Sequence, residues 1–204
     1  MDIFFSPLAC SMASRIAIYE AGATADFLQV DAKAGRTTSG EDYSKINPKG
    51  LVPALRTDEG EVLSENAAVL QYLADRFPQS GLAPSGFDRY RLQQWLCFIG
   101  TELHSGVFHL LFSPGAGAEA KAFARKEAVK RLSYLDAYFE GRQWLFDSFT
   151  VADAYLTVVL NWAQFVQLDL TPFPNVMAFL DRAKARPSVA KAMGEELALF
   201  QAAA

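Results

Sequence analysis

The chain has 204 residues, a formal net charge of −4, and a composition of 51% hydrophobic and 21% charged residues. This length allows one or two domains with an ample core, and the composition is that of a folded globular protein. The acidic balance disfavours a nucleic-acid surface. We expect neither a leader peptide nor an apolar stretch long enough to span a bilayer, and therefore a cytoplasmic protein with no nucleic-acid or membrane partner.

The two cysteines and two histidines limit the metal and redox chemistry of the chain. Cys10 and Cys97 lack the spacing of a metal-binding pair, and two cysteines do not make a disulfide framework. Without a cluster of cysteine and histidine residues, a zinc site is not expected. We therefore predict that the protein uses no metal.

Residues 1–80 predict a small α/β domain in which a βαβ unit precedes a ββα unit. Short apolar runs bounded by turn residues indicate strands, and apolar positions that recur on one face indicate helices. The βαβ unit would be parallel and the hairpin antiparallel. In chain order the predicted elements are a strand at 2–5, a helix at 11–21 ended by Gly22, a strand at 27–30, a polar loop at 33–42 with a short irregular helix up to 46, hairpin strands at 53–56 and 62–63, and a helix from 67 to about 77.

Residues 87–204 predict a second, all-helical domain, which follows a linker at 78–86 rich in proline and glycine. The predicted helices are at about 87–112, 118–140, 151–167, 174–185 and 188–202. Thr150-Val151-Ala152-Asp153 is typical of a reciprocal N-cap, with Asp in place of Glu or Gln. The fold class is therefore α/β plus all-α.

Residues 47–53, Asn-Pro-Lys-Gly-Leu-Val-Pro, are typical of a sheet edge whose main chain can bind a peptide-like ligand. Pro53 has no amide hydrogen, so its strand cannot be paired fully on both sides. A Val52–Pro53 bond can be cis at a cost of about 0.5–1 kcal/mol, and the bend would turn the N–H and C=O of Val52 outward for strand addition. Glu65, at a predicted helix start, could then meet the ammonium group of the ligand. A proline-bounded turn before an edge strand remains the alternative interpretation.

Several motifs in both halves of the chain resemble those of the cytosolic glutathione transferases, most closely the bacterial beta class. The motifs are Ser6-Pro7-Leu8-Ala9-Cys10-Ser11, residues 47–53, Ser64-Glu65-Asn66, Tyr72-Leu73-Ala74-Asp75, Trp95-Leu96, Glu102-Leu103-His104 and Phe149-Thr150-Val151-Ala152-Asp153-Ala154-Tyr155. The resemblance implies a thioredoxin-like N-terminal domain that binds glutathione, a helical domain that shapes the electrophile site, and a homodimer.

The resemblance also assigns residues to glutathione. Val52, flanked by Leu51 and a cis-linked Pro53, would hold the cysteinyl part through two main-chain hydrogen bonds. Glu65 and Asn66 would hold the γ-glutamyl end. A lysine that often meets the glycine carboxylate in this class is replaced by Gly35. The neighbouring Arg36 is our first choice for that contact because it can bind bidentately, and Lys33 and Lys49 are the alternatives.

Cys10, Ser11 and His104 are the candidate catalytic residues. Cys10 lies at the start of the first helix, where unpaired N–H groups and the helix dipole favour a thiolate, so we expect a lowered thiol pKa. Ser11 is a candidate hydroxyl donor to the glutathione thiolate. The resemblance places His104 near the sulfur as donor or base, a role suited to a side chain whose ordinary pKa is near neutrality. Phe4 and Phe5 lack the phenol that other transferases use.

We predict a glutathione transferase that adds the glutathione thiolate to small hydrophobic electrophiles, with glutathione as co-substrate. One alternative is a glutathione-dependent thiol–disulfide oxidoreductase or peroxidase that uses Cys10. Because Ala13 replaces the second cysteine of a Cys-x-x-Cys motif, that cycle would need a second glutathione. The other alternative is a non-catalytic binding protein of the same fold.

Overall fold

The computed structural model describes residues 1–202, which form two compact units. The first unit contains residues 1–83 and the chain from Arg186 onward, and the second contains residues 84–185. The sequence-based assignment of 87–204 to the helical domain therefore differs from this grouping in its last segment. The final helix packs on the first helix of the chain, and both belong to the first unit.

The first unit is built on a five-stranded mixed sheet with the order β3-β2-β1-β4-β5. β1 pairs in parallel with β2, whereas the other neighbouring pairs are antiparallel. Helix α1 packs against both α2 and α7. The elements are β1 (Asp2–Phe5), α1 (Met12–Glu20), β2 (Asp26–Asp31), β3 (Arg36–Thr37), β4 (Ala54–Arg56), β5 (Val62–Ser64), α2 (Asn66–Arg76) and α7 (Pro187–Ala202).

Two features of this sheet differ from the sequence-based expectation. β4 is an internal strand, paired with β1 on one side and β5 on the other, so the expected sheet edge at Pro53 is wrong. Val52 and Pro53 precede the first paired residue, Ala54. A proline is tolerated there because an unpaired position does not need the amide hydrogen that proline lacks. The two-residue strand β3 was expected to be loop.

The core of the first unit explains why β1 is central. Ile3, Phe4 and Phe5 are all buried, and a strand covered on both faces needs such a continuous apolar run. One cluster of this core joins the sheet to the segment before β4 and consists of Phe4, Val30, Tyr43, Ile46 and Ala54. Tyr43 lies in a short 3-10 helix at Tyr43–Lys45. The core thereby anchors the residues that lead to Val52.

The second unit is helical throughout its regular structure, as expected. Its helices are α3 (Asp88–Phe112), α4 (Ala118–Tyr138), α5 (Val151–Asn161), which continues as a 3-10 turn at Trp162–Val166, and α6 (Pro174–Lys184). Every residue of α5 is buried, so α5 is the central helix of this unit. The segment Ile99–His109 of α3 has π-helical hydrogen bonding, a rare form that is frequent at functional sites.

The start of α5 confirms the predicted reciprocal N-cap. The amide of Thr150 donates to Asp153 Oδ2 at 2.8 Å, and the amide of Asp153 donates back to the Thr150 side chain. Asp153 also accepts the Leu145 amide at 2.8 Å. One buried carboxylate therefore holds both the helix start and the loop before it.

By length and composition alone, α3 is long and apolar enough to cross a membrane, contrary to the expectation that no stretch would qualify. A core helix of a globular unit passes the same test. Here α3 packs against α4 and α5, and Leu92, Leu96, Ile99 and Leu103 are among its buried residues. Packing within the second unit therefore accounts for part of this apolar character, since 39% of the qualifying window is buried.

Candidate functional site

Cys10 lies in the turn between β1 and α1 and faces the loop before β4. The turn is closed by a hydrogen bond of 3.1 Å from the Ala9 amide to the Ser6 carbonyl. The Cys10 side chain is 7% exposed, and its thiol donates to the Val52 carbonyl, with an Sγ–O distance of 3.4 Å. The structure therefore brings together two of the residues assigned to the site from sequence.

The pKa of the Cys10 thiol is raised to about 12, so the expectation of a lowered pKa is wrong. Burial is the main cause, because it penalises the charged thiolate. The backbone amides of Cys10 and Ser11 act in the expected direction and lower the pKa, but the charges of Glu65 and Glu196 raise it further. At neutral pH Cys10 is a protonated thiol and hence a hydrogen-bond donor.

The Ser11 hydroxyl bonds to the main chain of its own turn. The side chain is fully buried, and its hydroxyl donates to the Ser6 carbonyl and accepts the Ser6 amide, both at 3.3 Å. The hydroxyl is therefore engaged within its own turn, and its donation to a glutathione thiolate stays a prediction. The Ser11 amide faces the sulfur of Cys10, as its effect on the thiol pKa indicates.

The loop that carries Val52 is held by two residues that the sequence did not single out for the site. The Tyr43 hydroxyl and the Asn47 side-chain amide both donate to the Leu51 carbonyl, at 2.8 and 2.7 Å. The Val52–Pro53 bond is cis, as expected. The Leu51 side chain is 65% exposed, so it is the Leu51 main chain that fixes the loop.

Glu65 lies at the start of α2 with a backbone φ of 72° and ψ of 120°, a conformation that side chains other than glycine rarely adopt. Such strained positions cluster at ligand sites because the surrounding structure has to maintain them. The side chain is exposed and forms an ion pair with Lys49, another predicted site residue. Glu65 is also close enough to Cys10 for its charge to raise the thiol pKa.

Asn66, the first residue of α2, is 7% exposed, and neither Nδ2 nor Oδ1 of its side chain has a hydrogen-bond partner. A buried amide without partners costs about 1–3 kcal/mol and needs an explanation. A polar ligand at this helix N-terminus would supply the missing partners. Asn66 therefore fits the role that the sequence assigned to it.

Two of the three candidates for the glycine carboxylate already have partners within the protein. The Arg36 guanidinium is exposed and donates from Nη1 to the Gly40 carbonyl at 3.0 Å. Lys49 pairs with Glu65. The choice among Arg36, Lys33 and Lys49 stays a prediction.

His104 belongs to the second unit, in the π-helical part of α3. Its Nδ1 lies 2.7 Å from the Tyr155 hydroxyl, and its ring packs edge-on against Trp162 with centroids 4.8 Å apart. Burial lowers the pKa of His104 to about 4, so the imidazole is neutral at physiological pH. Phe108 and Phe112 also contact Trp162, so these rings form an aromatic cluster in the second unit. The role of His104 at the sulfur stays a prediction.

Residues 1–202 contain no group of three or more His, Cys, Asp or Glu side chains placed to hold a metal ion. The acidic groups that act on Cys10 in the first unit are Glu65 and Glu196, and the sequence did not suggest Glu196. Glu196 accepts hydrogen bonds from the Leu8 amide and from Arg15. Both partners lie more than 180 positions away along the chain, so no local pattern could have revealed them.

Comparison with known families gives the class of protein. The models of the glutathione S-transferase N-terminal domain and C-terminal domain match residues 2–75 and 95–187. The chain belongs to the glutathione S-transferase family.

Individual relatives are similar along almost the whole chain. Glutathione S-transferase GstA of Escherichia coli O157:H7 is 41% identical over 199 residues, which cover 96% of this chain and 98% of that protein. A sphingomonad glutathione S-transferase solved in complex with glutathione is 43% identical, with a TM-score of 0.92 and coverage of 96% and 98%. The beta-class enzyme of Sphingomonas chungbukensis is 41% identical, with the same TM-score and coverage. The family and class expected from the motifs are thereby confirmed.

Proposed function

We propose that this chain is a glutathione transferase that joins the thiolate of glutathione to small apolar electrophiles. The glutathione-binding residues lie in the first unit. The Val52 main chain pairs with the cysteinyl part, the Glu65 carboxylate with the ammonium group, and the Asn66 amide with the γ-glutamyl carboxylate at the N-terminus of α2. Family membership and the glutathione complex of a relative with 43% identity support this assignment.

The observation that carries the proposal is the unpartnered amide of Asn66 directly after the strained backbone of Glu65. Folding tolerates a buried orphan amide and an unfavourable φ at adjacent positions when ligand binding recovers part of the cost. A zwitterionic amino-acid end matches both groups, because it offers an ammonium donor and a carboxylate acceptor.

In the proposed reaction the glutathione sulfur bonds to the electrophilic carbon, and the leaving group departs with the electrons of its bond. The proton of the glutathione thiol passes to water before attack. The amides of Cys10 and Ser11 stabilise the thiolate of glutathione by hydrogen bonding, as does the thiol of Cys10 once its proton turns from the Val52 carbonyl to the ligand. Such donors favour the charged form of a sulfur beside them. Cys10 therefore acts as a donor, while the nucleophile is the glutathione sulfur.

The high pKa of Cys10 disfavours the redox alternative. Thiol–disulfide exchange needs a thiolate as the attacking group, and a pKa of about 12 leaves almost none at pH 7. Cys10→Ala is expected to retain much of the conjugation of a halonitrobenzene and to abolish any glutathione-dependent disulfide reduction. Complete loss of conjugation with glutathione binding intact would assign Cys10 a larger role than proposed.

The direct test of the glutathione assignment is Glu65→Ala. Removal of one charged hydrogen bond costs about 1.5–3 kcal/mol, which corresponds to a roughly 10- to 150-fold rise in the KM for glutathione. Glu61→Ala, which removes an exposed carboxylate from the neighbouring hairpin, is the matched control and is expected to leave this KM within about twofold. An unchanged KM in the Glu65 variant would remove Glu65 from the site.

We also propose that the chain works as a homodimer in the cytoplasm. Both cysteines are free thiols, which suits a reducing compartment. Between α3 and α4 of the second unit, Trp95, Phe98 and Tyr134 line a cavity of about 630 Å³, and Tyr134 is 47% exposed. We place the dimer interface at this cavity, and light scattering tests it. Tyr134→Glu is expected to weaken association, whereas Met177→Glu, at another exposed apolar site, is not. A monomeric parent protein would contradict the proposal.

A further inference from the structure

The last helix of the chain reaches the turn that carries Cys10. Glu196 on α7 accepts the Leu8 amide at its Oε2 with a distance of 2.8 Å. Leu8 stands two residues before Cys10 and has a backbone φ of 60°, in the region that favours glycine. A strained residue keeps such a conformation only when neighbouring groups hold it. The Glu196 carboxylate is one such group.

Glu196 is itself fixed by a second donor. Its side chain is fully buried, and Oε1 accepts from Arg15 Nε at 2.9 Å. The guanidinium of Arg15 packs against two aromatic rings, with its carbon 3.8 Å from the centroid of Phe27 and 4.5 Å from that of Phe5. Each carboxylate oxygen therefore has one donor, and the carboxylate cannot turn without losing one of them.

The adjacent Glu195 provides an internal comparison. It also binds Arg15, with Oε2 at 3.2 Å from Nη1, and it accepts from the Tyr19 hydroxyl at 2.5 Å. Its side chain is 41% exposed, and none of its hydrogen bonds or ion pairs in residues 1–202 involves the turn before α1. The two carboxylates thus share a partner and differ in burial and in contact with the thiol segment.

We propose that Glu196 is a positioning residue for the reacting sulfur, because its hydrogen bond to the Leu8 amide holds the turn at residues 6–11 with the amides of Cys10 and Ser11 directed at the sulfur position. The inference rests on the proposed transferase function and adds a residue of the C-terminal helix to its machinery. Glu196 acts through Leu8 and touches neither substrate.

The electrostatics of the cluster agree with a role in geometry. The negative charge of Glu196 by itself raises the pKa of the Cys10 thiol, and burial raises the pKa of Glu196 to about 7. The negative charge of a carboxylate by itself destabilises a nearby thiolate, so charge alone does not explain the presence of Glu196. Arg15 compensates that charge, and Lys191 lies 4.0 Å from Glu195 on the outer side of the cluster.

The sign of a pH shift separates positioning from charge. In Glu196→Gln, loss of the fixed turn is expected to raise the pH midpoint of kcat/KM by about one unit, which lowers the thiolate fraction at neutral pH about tenfold. The same variant should lower kcat more than it changes the KM for glutathione. Removal of the negative charge alone would move the midpoint down. Glu195→Gln, with the same change of charge beside the same arginine, is expected to leave the midpoint in place.

Amide hydrogen exchange tests the same inference without turnover. In the unmodified protein the Leu8 amide should exchange as slowly as the amides of β1, and residues 6–11 should exchange at least about tenfold faster in Glu196→Gln but not in Glu195→Gln. Fast exchange of Leu8 in the parent, or a midpoint in Glu196→Gln that is unchanged or lowered, would overturn the inference. If the parent protein has no conjugation activity, the proposed transferase function is wrong. The exchange experiment would still decide whether Glu196 holds the turn at residues 6–11.

Discussion

The buried side-chain amide of Asn66 destabilises the folded protein, because no contact within residues 1–202 compensates for its lost hydrogen bonds to water. The side-chain amide is buried and unpaired at the start of α2, and Ala at such a position would remove two unsatisfied polar atoms. The residue is therefore expected to favour ligand binding at the expense of stability, a trade-off typical of functional sites.

Asn66→Ala is expected to raise the free energy of unfolding by about 1 kcal/mol, since the orphan amide is lost, while it raises the KM for glutathione. Asn175→Ala is the matched control, because the Asn175 side chain donates to the Asp136 carbonyl at 3.1 Å and its loss should destabilise. Urea unfolding and steady-state kinetics measure both effects. A destabilised Asn66→Ala protein with unchanged KM would show that the amide has a structural partner.

The charge state of His104 can be measured directly because the chain has only two histidines. Burial lowers the pKa of His104 to about 4, so its ring-proton chemical shift should stay constant from pH 8 down to about 5.5. The variant His109→Gln leaves His104 as the only histidine for NMR titration. A midpoint between pH 6 and 7 would contradict the buried, neutral imidazole.

The sequence indicated that Cys10 and Val52 lie together, but it did not predict the protonation state of Cys10. The motif around Cys10 placed the thiol at a helix start correctly, but the sign of its pKa shift depends on how deeply the sulfur is buried. Part of that burial comes from Val52, 42 positions away, whose carbonyl contacts the thiol. Glu196 could not be foreseen for the same reason, since its contacts with Leu8 and Arg15 span almost the whole chain.

At the scale of single elements, α5 depends on one carboxylate. Asp153 is fully buried and accepts the Thr150 amide, the Thr150 hydroxyl and the Leu145 amide, each at 2.8 Å. Since α5 is buried along its entire length, loss of its N-cap disturbs packing at the centre of the second unit.

Asp153→Ala is expected to lower the free energy of unfolding by about 3 kcal/mol or more, because two buried backbone donors lose their acceptor at about 1–3 kcal/mol each. Thr150→Ala should cost less, about 1 kcal/mol, as for the loss of an N-cap side chain. Urea denaturation followed by circular dichroism measures the two costs. Equal losses in the two variants would contradict the dominant role of the carboxylate.

The elements themselves were largely predictable because their signals are local. The capping residues at Thr150 and Asp153 and the apolar spacing along α3 and α4 indicated the helices to within a few residues. The position of β4 in the sheet was not predictable in this way. Pro53 correctly marks the end of pairing, but whether β4 has one neighbour or two is decided by β1 and β5, which approach it from elsewhere in the sequence.

At the scale of the whole molecule, stability should decline in alkaline solution. The pKa of Cys10 is raised from its ordinary value of 9.0 to about 12, and that of Tyr43 from 10.0 to about 12, in both cases mainly by burial. A group whose pKa is raised by folding stabilises the protein fully below its unfolded pKa, and this contribution is lost as the pH rises toward the folded value.

The free energy of unfolding is therefore expected to fall between pH 9 and pH 10.5, measured by urea denaturation at several pH values. In Cys10→Ser the fall should be smaller, because a buried hydroxyl does not titrate in this range. Identical pH dependence in the two proteins would mean that Cys10 does not contribute to the alkaline loss.

The separation of the first unit into two stretches of chain has a consequence for biosynthesis. Residues 1–83 leave the ribosome before the roughly 100 residues of the second unit have been translated, an interval of about 5 to 20 s at ordinary elongation speeds. During that interval the guanidinium of Arg15 has no Glu196 to pair with, and the face of α1 that α7 later covers stays open to solvent. The first unit therefore begins to be synthesised first but can complete its fold only after α7 has been translated. Until then, a chaperone can bind the uncovered apolar face of α1.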